Sequence, residues 1–256
     1  MPPWIHVEGK VAVVTGGSRG IGESIAKALG TSGAKVAIAS RKKEGLDAAV
    51  ERLRAAGVAV VEPFVCHTGK TAEVEAMVAA VVAKLGKVDV LVNNAATNPH
   101  FGPMITADDA AFDKTFEINA RGYFACARAV ARHLLARSAP GSIINVTSMV
   151  GAMGAPMQGI YGMTKAAVIS MTQTLAVELG ASGIRVNAIA PGLVETKFSS
   201  VLVANEDIVK REAERTPLAR YAQPDEIAGA ALYLASDAAS FTTGQTFFVD
   251  GGRTIT

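Results

Sequence analysis

Tyr161 and Lys165 stand four residues apart in a stretch that reads as helix, so both side chains leave one face. A free phenol has a pKa of about 10 and is a poor base at neutral pH. An ammonium beside it favours the phenolate and lowers that pKa, and the same group can hydrogen-bond a sugar hydroxyl. Ser148 comes thirteen residues before Tyr161, at the end of an expected strand, where its hydroxyl can meet a substrate oxygen. Singly, these residues also read as a helix-surface pair and a strand-end serine. A second group lies near the start of the chain. Val11 to Val14 is apolar, glycines follow at 16, 17, 20 and 22, and Ile21, Ile25, Ala28 and Leu29 then recur at helical spacing. Strand, glycine turn and helix aim the free N–H groups of a helix N-terminus at a phosphate. Glycine lets the backbone approach a diphosphate closely. The spacing Gly-x-x-x-Gly-x-Gly differs from the commoner Gly-x-Gly-x-x-Gly, and alone it equally describes an ordinary strand-to-helix turn.

The elements that must position these residues follow from the pattern of the chain. Strands are expected at 11–14, 35–40, 58–65, 89–92, 142–147, 185–190 and 245–249, with helices between them. Pro63 in the third strand fits an edge or a strand end. Thr71 to Leu85 reads as an amphipathic helix with a threonine cap, and Thr106 to about Arg137 as a long helical region broken near 116–120. Leu193 to Tyr221 reads as less regular, and Pro224 to Leu234 as a helix opened by proline. This alternation, without a linker or a break in composition, predicts an α/β fold: one Rossmann-type doubly wound parallel sheet of about seven strands with helices on both faces, filling residues 1–256 as one domain. Ligands of such sheets bind at the C-terminal ends of the strands. The 256 residues are half apolar and 19% charged, with a net charge of +2, which gives no reason to expect nucleic acid or an acidic membrane as partner. Cys66 and Cys126 form no Cys-x-x-Cys pair, so neither a metal site nor a disulfide scaffold is expected. The first ten residues lack an apolar core for a signal peptide, and a cytoplasmic protein is expected.

Several ordered motifs resemble the short-chain dehydrogenase/reductase family over essentially the whole chain. They are Thr15-Gly16-x-x-x-Gly20-Ile21-Gly22, Asn93-Asn94-Ala95, Asn119, Ser148, Tyr161-x-x-x-Lys165, Pro191-Gly192 and Asp250-Gly251-Gly252. Within that family, Cys66-His67-Thr68-Gly69-Lys70 and Asn94 to Pro99 look like NADP-dependent carbonyl reductases of the peroxisomal type, which act on retinal and dicarbonyls. The resemblance implies that Tyr161 is the general acid in reduction and the base in oxidation. It implies that Lys165 lowers the Tyr161 pKa and holds the nicotinamide ribose, that Ser148 polarises the carbonyl, and that Asn119 holds a water joining Lys165 to solvent. On the cofactor side it implies contacts from Gly16, Ser18, Arg19, Gly20, Ile21 and Gly22, from Asn94 and Ala95 at the adenine-side ribose, and from Pro191, Gly192, Val194 and Thr196 around the carboxamide and diphosphate. Asn93 reads as a tie between adjacent strands. Two departures stand out: Ala96 replaces a usual glycine, and Cys66-His67 replaces an Asp-Val pair that clamps the adenine. Cys66 is a poor acceptor for the adenine amino group, and His67 is expected to be a packing or backbone neighbour of the adenine.

Members of the family that bind NAD place an acid at the end of the second strand. Here Ser40 stands there, followed by Arg41, Lys42 and Lys43, with Arg19 in the glycine loop. Guanidinium groups meet a 2′-phosphate bidentately, so NADP(H) is the expected cofactor, although a solvated basic turn has the same composition. Met104, Met149, Met153 and Met157, with Phe101, read equally as an adaptable apolar substrate wall and as core. Residues 193–215 are expected to flap over the substrate. The expected activity is NADPH-dependent reduction of an aldehyde or ketone. Two alternatives remain at this point: reduction of a 3-oxoacyl thioester on acyl carrier protein or coenzyme A, and a catalytically silent NADP-binding regulator. A homotetramer is expected from the resemblance and from the alanine-rich helices.

Overall fold

The structure is a computed structural model that describes residues 5–256; the first residues of the segment read for a leader lie outside it. Seven strands form one sheet: β1 (Val11–Thr15), β2 (Lys35–Ser40), β3 (Val61–Val65), β4 (Val90–Asn93), β5 (Gly141–Val146), β6 (Ile184–Pro191) and β7 (Thr246–Val249). All pairings are parallel, in the order β3-β2-β1-β4-β5-β6-β7. The winding reverses between β1 and β4, which opens a crevice beyond their C-terminal ends. β1 is buried on both faces, which is why it reads as an unbroken apolar run rather than an alternation. β3 lies at the edge, where the missing N–H of Pro63 costs no ladder bond on its open side.

Two apolar layers hold the sheet. On one face α1 (Gly20–Thr31), α2 (Lys43–Ala55) and α9 (Pro224–Ala235) pack Ile25, Leu29, Leu46, Leu53, Ile227 and Leu234 against Val14, Val36 and Ile38. On the other, α3 (Thr71–Leu85), α5 (Gly122–Ala136) and α6 (Gly159–Leu179) cover Val13, Leu91 and Ile143 with Met77, Val81, Val130, Leu134 and Ala176. The long helical region divides into α4 (Asp109–Phe116), a π-helical turn (Glu117–Arg121) and α5, so the expected break is a change of hydrogen-bond pattern inside a continuous rod.

Two local expectations are corrected. Thr71 is the first helical residue of α3 and caps nothing; Lys70 holds the cap position, and Glu73 reaches back to accept from the His67 N–H at 2.8 Å. The stretch 193–221 contains α7 (Ser200–Val203) and a ten-residue helix, α8 (Glu206–Arg215), which Asn205 caps by accepting from the Ile208 N–H. Only three of the ten residues of α8 are apolar, Ile208, Val209 and Ala213, too few to mark a helix by its apolar run. Among the described residues no helix is long and apolar enough to cross a membrane.

Candidate active site

A cavity of about 660 Å³ opens at the C-terminal ends of the strands. Its cofactor end is built on the turn between β1 and α1. Gly16 and Gly20 have φ of +66° and +58°, which side chains other than glycine rarely adopt. A Cβ on Gly16 would also lie 2.7 Å from Asn94 Nδ2. That close approach is used: the Asn94 amide donates to Thr15 O at 3.0 Å, and the Asn94 N–H donates to Thr15 Oγ1 at 2.9 Å. Asn94 therefore pins the turn, and it lines the cavity beside Ala95, Ser18, Arg19, Gly20 and Ile21. Gly22 does not line it; a Cβ there would collide with the Gly16 carbonyl, so Gly22 lets α1 seat beneath the turn.

Ser40 donates no charge to this end but receives a hydrogen bond from Ser18 Oγ at 3.3 Å. Arg19, Arg41 and Lys42 line the cavity, and none makes a hydrogen bond or ion pair through its side chain among the described residues. Sequence reasoning missed Arg52. Its guanidinium pairs with Glu23 at 2.6 Å and donates to Ser18 O at 3.1 Å, bracing the glycine loop from α2. Nothing in its spacing separates it from an ordinary charged helix face.

At the other end Tyr161 and Lys165 rise from α6 and are buried, and Ser148 follows β5. Burial pushes the Tyr161 phenol up, and a hydrogen bond with Ser148 works against that shift. The Lys165 ammonium, expected to lower the phenol, is turned elsewhere. Its Nζ donates to Val146 O at 2.8 Å and to Tyr123 Oη at 3.1 Å, and lies 5.4 Å from the centre of the Tyr161 ring. Burial pulls Lys165 down to about 7. Tyr123, another residue not singled out beforehand, donates to Val146 O at 2.9 Å and so completes this buried triangle.

Asn119 sits in the π-helical turn, fully buried and off the cavity wall. Its Oδ1 accepts from the Thr97 N–H at 2.8 Å, and its Nδ2 donates to Thr97 O at 2.9 Å and to Thr164 Oγ1 at 3.2 Å. Both amide hydrogens are thereby spent on positioning the loop after β4 against α6. Asn93 ties strands as expected: its Nδ2 donates to Asn145 Oδ1 on β5 at 3.0 Å and to Tyr123 O at 3.2 Å.

Cys66 lines the cavity, and burial raises its thiol to about 11, so it is a neutral wall. His67 is corrected. It does not reach the cavity; its main chain is held by Glu73, and its ring lies between Lys114 (3.3 Å) and Glu117 (3.9 Å). Pro191 ends β6 and Gly192 follows, so close to Asp250 that a Cβ on it would stand 2.9 Å from the Asp250 Cα. Val194 forms a parallel bridge to Ala222, and its carbonyl accepts from Ser199 Oγ. Thr196 lines the cavity close beside Gly20, where a Cβ would lie 3.3 Å from Thr196 Cγ2. Phe198, Leu202 and Ile208 of the segment 193–215 join Met149 and Met153 as an apolar wall, with the Phe198 ring 5.7 Å from that of Tyr161. Met104, Met157 and Phe101 are exposed and lie off the wall.

Comparison with known proteins agrees with this arrangement. A family model described as Enoyl-(Acyl carrier protein) reductase matches residues 16–254. The chain is 40% identical over 245 residues to tropinone reductase-like 3 of Erythroxylum coca, covering 96% of this chain and 93% of that protein. It is 38% identical over 243 residues to human dehydrogenase/reductase SDR family member 4, covering 95% of this chain and 87% of that protein. Among solved structures, a gluconate 5-dehydrogenase from Burkholderia cenocepacia in complex with NADP and tartrate superimposes with a TM-score of 0.93 at 35% identity, covering 98% of each chain.

Proposed function

The chain belongs to the short-chain dehydrogenase/reductase family of oxidoreductases, and from that premise we propose that it reduces aldehydes or ketones to alcohols with NADPH, reversibly. The observation that carries the reading is one cavity lined at one end by a positive-φ glycine turn with open cations and at the other by Ser148, Tyr161 and Lys165. The residues fit the dinucleotide. Gly16 and Gly20 clear the backbone for a diphosphate, Arg19 and Arg41 suit a 2′-phosphate, and no carboxylate lines the cavity beside them. The reading of Asn94, Ala95, Val194 and Thr196 as cofactor contacts, and of the likeness to carbonyl reductases acting on retinal and dicarbonyls, belongs to the same proposal.

Bound NADPH supplies the hydride. The protein's own part is proton handling and orientation. Ser148 donates a hydrogen bond to the carbonyl oxygen, and Tyr161 gives that oxygen its proton as the carbon is reduced. Burial suits Tyr161 to the role of acid, because it keeps the phenol protonated until the oxygen takes the charge. Lys165 spends two donors on Val146 O and Tyr123 Oη, and its ammonium keeps a third for a ribose hydroxyl. Since the Asn119 amide is committed to Thr97 and Thr164, we place the relay water on the main chain of the π-helical turn. Such turns shift bonding from i−4 to i−5 and free a carbonyl. Reduction of 3-oxoacyl thioesters is the second reading; the description of the family model shares with it the acyl carrier protein but names an enoyl group, reduced at C=C rather than C=O. An NADPH-consumption screen across aldehydes, ketones, diketones and 3-oxoacyl thioesters tests both. Turnover of simple carbonyls is expected; activity confined to thioesters would select the second reading, and none at all would reject both.

A further inference from the structure

We propose that Arg253 binds a carboxylate on the substrate, making oxo acids the preferred class; this rests on the carbonyl-reducing reading of the same cavity. Arg253 lies in the turn after β7, is 7% exposed, and lines the cavity. Its Nε donates to Glu212 of α8 at 3.0 Å. Its two terminal nitrogens make no hydrogen bond among the described residues, yet neither is sealed from open space. A buried guanidinium that lines a cavity and keeps an unspent donor pair has the chemistry of a bidentate receptor for a carboxylate.

Charge at this end agrees. Lys197, Arg215 and Arg253 line the cavity together with one carboxylate, Glu212, so the wall keeps a surplus of cations. Glu212 satisfies Nε and fixes the plane of the guanidinium, which pre-organises the remaining fork. Met149, Met153, Phe198, Leu202 and Ile208 supply apolar wall in the same cavity. The matching substrate has a carbonyl for Tyr161 and Ser148, an apolar chain, and an acid for Arg253. Arg185 differs in place: one terminal nitrogen donates to Leu234 O and Ser236 O, the other is buried without a partner, and the residue does not line the cavity.

The test compares 4-oxopentanoate, 5-oxohexanoate and 6-oxoheptanoate with their methyl esters in wild type, Arg253→Met, Arg253→Lys and Glu212→Gln. The expected acid-to-ester ratio of kcat/KM for the best-fitting acid is about 10- to 100-fold in wild type, the worth of a charge-assisted hydrogen-bonded pair. Arg253→Met should abolish that ratio, Arg253→Lys should restore part of it, and Glu212→Gln should retain it. If the Arg253–Glu212 pair only fastens α8, Glu212→Gln and Arg253→Met will behave alike, and the proposal falls. A wild-type ratio near one, or a ratio that survives Arg253→Met, also overturns it. So does a loss on Arg253→Met that is confined to 3-oxoacyl-coenzyme A, because the anion met would then be a phosphate. Calorimetric titration of hexanoate against methyl hexanoate, with NADP-loaded protein, separates this proposal from the one it rests on. Arg253-dependent binding of the acid with no carbonyl turned over would sink the activity and leave the acid site standing.

Discussion

Lys165 is buried with no carboxylate partner among the described residues, and its two bonds go to neutral oxygens. Desolvation therefore disfavours its charge and pulls its pKa from 10.5 to about 7. A folded pKa below the unfolded value means that the folded state resists the proton. The penalty is full below pH 7 and fades as pH rises from about 7 towards 10.5. Lys165→Met removes the charge, while Val146 O keeps its bond from Tyr123 Oη. The variant should melt about 3–6 °C above wild type at pH 6, for ~1.5 kcal/mol in a domain of this size, with the gain shrinking by pH 9. Scanning calorimetry at both pH values checks this; a lower Tm at pH 6 would remove the argument. At the cofactor end, Arg41→Asp replaces an open cation with a repelling anion. The ratio of kcat/KM for NADPH to that for NADH should fall by at least about tenfold, the worth of one charge-assisted bond. An unchanged ratio would detach Arg41 from the phosphate.

The elements that carry these residues were largely legible, for reasons that differ from one to the next. β2 spans Lys35 to Ser40 as read, because Val36 and Ile38 are β-branched and Gly33 stops the preceding helix. The break near 116–120 was visible in outline, yet its π-helical character depends on Asn119 bonding Thr97 and Thr164, and Thr164 is forty-five residues away. Single-sequence periodicity contains no term for such a contact. α8 was missed because only Ile208, Val209 and Ala213 among its ten residues are apolar, and the helix is held from outside by Glu212–Arg253 and by the Thr256 hydroxyl on Arg215 O. Most candidate residues at strand ends line one cavity, while Arg52, Tyr123 and Arg253 bond distant partners that no motif announces. The His67 ring sits by Lys114 and Glu117, two further partners that no motif announces. Asn119→Leu tests the element scale. It leaves the Thr97 N–H without its partner and should cost about 2–3 kcal/mol by urea unfolding. A loss below ~0.5 kcal/mol would mean that the amide does not hold the turn.

The whole molecule exposes apolar side chains on the helices outside the second layer. Phe112 on α4 and Phe124 on α5 are 39% and 45% exposed, and Met163 and Val177 on α6 are 44% and 85% exposed. A contiguous apolar surface of this kind is what an interface between subunits would need. The homotetramer remains the expectation to test: light scattering should show four copies, and a monomer at working concentration would refute it. The central claim is that one cavity joins dinucleotide binding to proton donation by Tyr161. Tyr161→Phe keeps the ring, its packing on Phe198 and the glycine turn, but has no proton to give. The decisive measurement is single-turnover NADPH oxidation by wild type and Tyr161→Phe, with NADPH affinity titrated by fluorescence on the same samples. Hydride transfer should slow by ~10²–10⁴-fold while NADPH affinity changes little. Transfer at nearly the wild-type rate in a variant that still binds NADPH would contradict the account.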